Sequence, residues 1–129
     1  MKTNVDGLFK TDKKEAEEGK EFEVAPGVFL TIRKATSKAS QEARRRLESA
    51  YAGKVPKAME ETLGIRHLAQ GVVAGWRGWV INKEKQEGYD WKVMEQLLLQ
   101  DDMVDLRELI AHLSTNDENF RIHEDQVKN

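Results

Sequence analysis

Residues 21–33 read EFEVAPGVFLTIR and carry the clearest strand signal in the chain. Apolar side chains occupy alternate positions on both sides of its middle, at Phe22 and Val24 and then at Val28, Leu30 and Ile32. This period of two is typical of strands with one buried face. Between the two runs, Pro26 presets φ for the second position of a type II turn and Gly27 accepts the positive φ of the third. The stretch therefore predicts a β-hairpin.

The residues after the hairpin predict helices, and helices are needed because two strands alone are only marginally stable in water. A helix over 37–52 would begin at a cap from Ser37 or Ser40. Helical spacing of apolar residues then runs from Pro56 to about Ile81. Glycines interrupt this second stretch, and each costs about 1 kcal/mol in a helix. We therefore expect a kink or an early end near 75–78.

The last third of the chain predicts two further helices and a short turn. Residues 82–90 form a polar loop, and Asp90 can cap a helix that ends near Gln100. A second helix over 103–113 would follow, started by Asp101 or Asp102, and the chain would close in a turn over 116–122. We predict a mostly α-helical α+β fold, with an N-terminal β-hairpin packed on four to five helices.

This fold accounts for residues 21–122 as a single domain. Residues 1–20 are polar and densely charged, so we expect them to be mobile or loosely attached. A short first strand around 5–9 is the alternative for that segment. Residues 123–129 read as a polar C-terminal tail.

Composition and motifs argue against several classes of function. The 129 residues include no cysteine, which excludes disulfides, cysteine-ligated zinc and thiol catalysis. The three histidines follow no metal-ligand spacing, no serine lies in a G-x-S-x-G context and no phosphate-binding loop is present. We therefore expect no catalytic residues, no metal and no cofactor. No stretch approaches the roughly 18 apolar residues of a membrane span, and no signal peptide is recognisable, so we expect a cytosolic protein.

The charge is unevenly distributed along the chain, although 21 basic and 23 acidic residues give a net charge of only −2. Residues 33–57 hold eight basic and two acidic side chains, a balance of +6, whereas residues 84–108 hold three basic and eight acidic ones, a balance of −5. Three interpretations stay open: a solvated surface, head-to-tail association of identical subunits, and nucleic-acid binding by the basic stretch. The near-zero net charge makes nucleic acid the least favoured of them.

Several short motifs follow one another in a recognisable order. A basic, alanine-rich helix leads to Gly71-Val72-Val73-Ala74-Gly75-Trp76-Arg77-Gly78-Trp79, then to Gly88-Tyr89-Asp90, Leu97-Leu98, Leu106-x-x-x-Ile110 and Glu118-Asn119-Phe120. Over residues 20–121 this order resembles the tail assembly chaperones of long, non-contractile-tailed bacteriophages. In that family a helix ending in Trp-x-Gly, a Tyr-Ser/Thr-led helix and a terminal Glu-Asn-Phe recur. The chain departs from the pattern in Tyr89-Asp90-Trp91 and in its paired glycines at 71 and 75.

The resemblance implies a non-enzymatic role in the cytoplasm of an infected bacterium. Members of that family coat the long helical tape measure protein, keep it soluble, help tail tube subunits to polymerise around it, and are lost from the finished virion. A longer form made by programmed frameshifting binds the tube protein, and this chain would be the short form. Two alternatives stay open: a nucleic-acid-binding phage accessory protein that uses residues 33–57, and a structural tail-completion protein.

The resemblance and the apolar pattern together give two sets of candidate residues. The hypothetical contact surface for the tape measure protein comprises Leu68, Val72, Trp76, Trp79, Leu97, Leu98, Met103, Leu106 and Ile110. The paired glycines either serve close packing within the chain or form an association face. The hypothetical self-association residues of a homo-oligomer are Arg44, Arg45 and Arg46 on one side and Asp101, Asp102 and Asp105 on the other.

Overall fold

The computed structural model describes residues 5–122, so the predicted polar tail over 123–129 lies outside the described residues. Within that part of the chain, six α-helices accompany a three-stranded antiparallel sheet and a two-stranded ribbon. The prediction of a mostly α-helical α+β fold is confirmed.

The elements follow one another in a simple order along the chain. They are α1 (Val5–Phe9), α2 (Lys13–Glu18), β1 (Lys20–Ala25), β2 (Val28–Ile32), α3 (Lys38–Ser49), α4 (Glu60–His67), a π-helical turn (Leu68–Val72), β3 (Val73–Arg77), β4 (Val80–Ile81), β5 (Glu84–Lys85), α5 (Trp91–Leu98) and α6 (Val104–Thr115). Short 3-10 turns at Lys57–Met59, Asp101–Met103 and Asp117–Phe120 connect or extend the helices.

The predicted hairpin is present, and Gly27 takes the positive φ of +74° that the turn requires. Its second strand lies in the centre of the sheet, paired with β1 on one side and with β3 on the other. Leu30 and Ile32 of this strand are fully buried, because β3 and the helices cover the face they share. The third strand explains how a marginally stable hairpin becomes part of a domain.

The long helix predicted from Pro56 to Ile81 is wrong in its second half. Helix α4 ends at His67, a π-helical turn follows, and from Val73 the backbone is extended and pairs with β2. The spacing of four residues between Leu68, Val72 and Trp76 predicts a helix, but Leu68 and Val72 lie in the π-helical turn and Trp76 lies in the strand. In that strand, an irregularity in the β2–β3 register places Val73 and Trp76, three residues apart, on the core side.

The change from helix to strand frees backbone carbonyls, and three of them have identified partners. The Tyr89 hydroxyl donates to the Ala69 carbonyl at 2.6 Å. Arg33 donates its backbone N–H to the Val72 carbonyl at 2.8 Å and its Nη1 to the Gly71 carbonyl at 3.4 Å. Because unpaired buried carbonyls are expensive, these bonds fix the position at which the helix ends.

Gly71 allows the π-helical turn to lie directly against α3. A Cβ atom at this position would lie 2.7 Å from the Ala43 Cβ and 3.2 Å from the Ser40 Cα. Ala43 and Ser40 are themselves buried. Of the two uses expected for the paired glycines, close packing within the chain is therefore the one that Gly71 serves.

The N-terminal residues are better attached than their composition predicted. Residues Val5–Phe9 form helix α1 instead of a strand, and Asp12 caps α2 by accepting from the Glu15 backbone N–H at 3.1 Å. Ala16 of α2 is buried in the core, and the Asp12 N–H donates to the Phe120 carbonyl at 2.6 Å. Helix α2 thus belongs to the same packed unit as the residues after it.

The starts of the helices follow the sequence more closely. Ser37 caps α3 and Asp90 caps α5 as predicted, with Lys92 N–H donating to the Asp90 carboxylate at 2.9 Å. Asp101 and Asp102 do not cap α6, because they lie within the preceding 3-10 turn. The predicted loop over 82–90 contains β5, which pairs with β4.

We predict opposite effects for two glycine-to-alanine substitutions in the same stretch. Gly71→Ala should lower the free energy of unfolding by about 1–3 kcal/mol, because α3 must move to admit the methyl group. Gly64→Ala should raise it by about 0.5–1 kcal/mol, because a Cβ atom in α4 meets nothing within 4 Å and alanine favours the helix.

Urea unfolding followed by circular dichroism measures both variants. Equal effects of the two substitutions would contradict the close approach of the π-helical turn to α3.

Candidate functional site

The two tryptophans of the Trp-x-Gly segment stabilise the fold. Trp76 and Trp79 stack at 5.6 Å between ring centroids, and Tyr89 meets Trp76 edge-on at 4.9 Å. The Trp76 Nε1 donates to the Gly88 carbonyl at 3.0 Å, and the Trp79 Nε1 donates to the Phe29 carbonyl at 2.8 Å. The three side chains tie β2 and β3 to the start of α5, and their polar atoms are satisfied internally.

The residues predicted to contact a partner are mainly core residues. Five of the nine are buried in the described structure: Val72, Trp76, Leu97, Leu98 and Ile110. The other four are partly buried and pack against that core: Leu68, Trp79, Met103 and Leu106. The apolar stripes that suggested this set are therefore the stripes that fold the chain, and contact of these residues with a partner stays a prediction. Leu97 also lines a surface groove, described below.

The charged residues predicted for self-association are more accessible. Arg44 lies 3.5 Å from the Glu48 carboxylate, Arg45 is exposed, and Arg46 donates to the Gln70 side chain at 3.3 Å. Asp101, Asp102 and Asp105 are all exposed. The structure places the two groups on different elements and brings no member of one group to the other within residues 5–122.

Ser40 and His67 form a close polar pair between α3 and α4. The Ser40 Oγ and the His67 Nε2 lie 2.9 Å apart, and the same nitrogen lies 2.9 Å from the Ser40 carbonyl. This spacing matches a nucleophile with its base. Ser40 is fully buried, however, and the two side chains belong to two helices that pack on each other. The pair therefore holds α3 on α4, and burial lowers the pKa of His67 below its ordinary value.

A basic pocket of about 430 Å³ opens beside this pair. Its lining consists of Ala35, Ser40, Gln41, Arg44, Arg45 and His67. We call it the α3 pocket. With two guanidinium groups in its wall, it suits an acidic group.

A larger groove of about 740 Å³ separates α2 from the start of α3. The Glu17 carboxylate occupies the N-terminus of α3 in this groove, accepting from the Lys38 backbone N–H at 2.8 Å. Because the helix end already has an anionic partner, this groove is less suited to an added anion than the α3 pocket.

A third groove, of about 300 Å³, lies between the β4–β5 ribbon and α5. Ile81, Val93 and Leu97 supply its apolar lining, and its polar lining residues are Asn82, Lys92, Gln96 and Gln100. Val93, Gln96 and Leu97 are spaced three and four residues apart, so they form one stripe along the helix, and Gln100 continues the lining just beyond the helix end. We call it the α5 groove.

Sequence reasoning missed Ile81 and Val93 as surface candidates. Ile81 was assigned to the end of a helix, and its position beside α5 depends on the unpredicted strands β4 and β5. Val93 lies outside the buried stripe of α5, which comprises Met94, Leu97 and Leu98. The helix carries a second stripe at 93, 96 and 97 beside the buried one, and this spacing is the signal that the sequence offers.

Between residues 5 and 122, no three His, Asp or Glu side chains converge into a possible metal site. Over the same residues, every helix falls short of the length and apolar character needed to span a bilayer.

Comparison with known proteins identifies the origin of the chain. A family model described as YdaY prophage protein matches residues 31–129, from the end of β2 onward. This chain belongs to the YdaY prophage protein family. The match covers the π-helical turn, the α3 pocket and the α5 groove, so both surfaces lie in the part that defines the family.

The family assignment establishes a phage-derived protein with a phage-associated role, which confirms the coarser part of the prediction. Searches of the curated proteins and of the solved structures gave no match.

The buried His67 predicts a pH dependence of stability. Its pKa in the folded chain lies below the ordinary value of 6.5, so the unfolded chain binds more protons when the pH falls below that value. Stability should therefore decline as the pH is lowered from 7 through the folded pKa of His67. His67→Gln should remove this part of the pH dependence, whereas His112→Gln, at an exposed position of α6, should keep it.

Urea unfolding of the three proteins between about pH 7 and pH 5 measures the effect. A slope against pH that is the same for His67→Gln as for the unaltered chain would contradict the assignment.

Proposed function

We propose that this protein is a non-enzymatic tail assembly chaperone that holds the tape measure protein of its phage in solution. Membership in a prophage protein family supports a phage role. The order of motifs over residues 20–121 supports the narrower assignment, since it resembles the tail assembly chaperones of long-tailed phages. On this proposal the protein acts in the cytoplasm of the infected bacterium and leaves the assembly before the virion is complete.

The α5 groove is the observation that supports the proposal and links it to particular residues. It combines an apolar lining, from Ile81, Val93 and Leu97, with side-chain amides and one lysine. An apolar floor with a polar rim is the arrangement that accepts the apolar face of an amphipathic helix. The tape measure protein is a long helix with apolar faces, which fits this groove.

The small size of the groove fits a chaperone that binds many times along one rod. The stripe from Val93 to Leu97 covers four residue steps, or roughly 6 Å of helix at 1.5 Å per residue, and Gln100 extends the lining beyond the helix end. A groove of that length receives one or two turns of a partner, so a single contact is weak. Repeated contacts along the same rod gain by avidity, and weak single contacts allow release when tube subunits arrive.

The tail tube protein is the second proposed partner. In the family that the sequence resembles, a longer frameshifted form supplies the segment that binds it. For this chain we propose the same division: the domain described here holds the tape measure protein, and an extension recruits the tube protein.

Co-expression with the tape measure protein of the same prophage tests the groove. The unaltered chain should keep that protein in the soluble fraction. Ile81→Asp and Val93→Glu should each lower the soluble yield by about tenfold, because each removes an apolar contact worth roughly 1.5 kcal/mol. Thermal unfolding of each variant confirms that the domain still folds.

Two exposed valines provide matched controls. Val80 is 63% exposed and precedes Ile81 in β4, and Val104 is 42% exposed on α6. Val80→Asp and Val104→Glu should leave the soluble yield unchanged. If the soluble yield of the tape measure protein falls with the control variants and not with the groove variants, the contact lies outside the α5 groove. If the chain persists in purified virions, it is a tail-completion protein and the chaperone proposal fails.

A further inference from the structure

The α3 pocket has a positive charge that its surroundings only partly neutralise. Within residues 5–122, Glu48 is the one acid paired with either of its arginines, at 3.5 Å from the Arg44 Nε. Arg45 is exposed and takes part in no ion pair of the described residues. The pocket is therefore open to an acidic side chain.

The neighbouring Arg46 does not contribute to the pocket. Its Nη2 donates to the Gln70 Oε1 at 3.3 Å, and the Gln70 Nε2 donates in turn to the Glu95 carboxylate at 2.9 Å. Two guanidinium groups in a concave site suit a compact pair of carboxylates. A duplex needs a longer basic surface to follow its phosphates, so the geometry favours a protein partner over nucleic acid.

The same chain carries acidic side chains of the complementary kind. Asp101 and Asp102 lie in the 3-10 turn before α6, Asp105 lies in the first turn of that helix, and all three are exposed. We call residues 101–105 the acidic turn. This turn packs on α5 and α6, whereas α3 packs on α4 and the π-helical turn.

We propose that the α3 pocket binds the acidic turn of a second copy of this chain. Arg44 and Arg45 of one subunit then pair with Asp101 and Asp102 of the next. Because the two surfaces differ, the contact is head-to-tail, and each bound subunit presents a free pocket at one end and a free acidic turn at the other. The interaction is independent of the α5 groove, so it extends the proposed function without resting on it.

Sedimentation velocity over a range of concentrations measures the association. The unaltered chain should form oligomers at low ionic strength that dissociate as salt is added, because salt screens exposed charges. Arg44→Glu with Arg45→Glu should weaken association by about tenfold or more. Asp101→Lys with Asp102→Lys should weaken it equally. Circular dichroism confirms that each variant is folded.

Mixing the two double variants tests the head-to-tail geometry. The pocket-reversed variant keeps its acidic turn, and the turn-reversed variant keeps its pocket. Together they should form a one-to-one complex that grows no further. A chain carrying all four substitutions should associate again, because its reversed pocket and reversed turn are complementary.

The control changes the same number of charges outside the pocket. Lys54 and Lys57 are exposed beyond the end of α3, and Lys54→Glu with Lys57→Glu should leave association unchanged. Three results would overturn the proposal: a monomeric unaltered chain at low salt, oligomers indifferent to both charge reversals, or a mixture of the double variants that stays monomeric. Binding of a duplex oligonucleotide that is lost on reversing Arg44 and Arg45, without self-association, would assign the pocket to nucleic acid instead.

Discussion

The structure depends on one constraint, the change from helix to strand between Val72 and Val73. At this point the chain leaves α4 through a π-helical turn and becomes the third strand of the sheet. Gly71 brings the turn against α3, and the Tyr89 hydroxyl and Arg33 satisfy three of the carbonyls that the change sets free. Without this change, β2 would pair with β1 alone and have no strand on its other side. The Trp76–Trp79–Tyr89 cluster would also not form.

The same constraint explains which parts of the fold could be predicted from the sequence. Local signals sufficed for the hairpin turn and for the helices capped by Ser37 and Asp90, since each depends on residues close together in the chain. The change at Val72 depends on partners about 20 to 40 residues away, Tyr89 and Arg33. Such distant bonds leave no pattern in the local sequence, and the apolar spacing that runs into β3 resembles that of a helix.

The candidate surface residues also differ in how far the sequence could predict them. Charge could be assigned from the sequence, because long charged side chains stay at the surface whatever the fold, and Arg44, Arg45, Asp101 and Asp102 are accessible. Apolar contact residues could not be assigned from the sequence, because a small domain needs its strongest apolar stripes for its own core. The surface proposed for a partner is the weaker stripe of Val93 and Leu97 together with Ile81, which the strand pairing of β4 and β5 places beside α5.

The central claim is that the α5 groove holds a helical, apolar phage partner. Methyl NMR of the chain, titrated with a soluble helical fragment of the tape measure protein, tests it most directly. The account predicts shifts and intermolecular contacts at the methyl groups of Ile81, Val93 and Leu97, with those of Val104 and Leu109 on α6 unchanged. Shifts confined to α6, or binding that leaves the groove methyls unchanged, would contradict it.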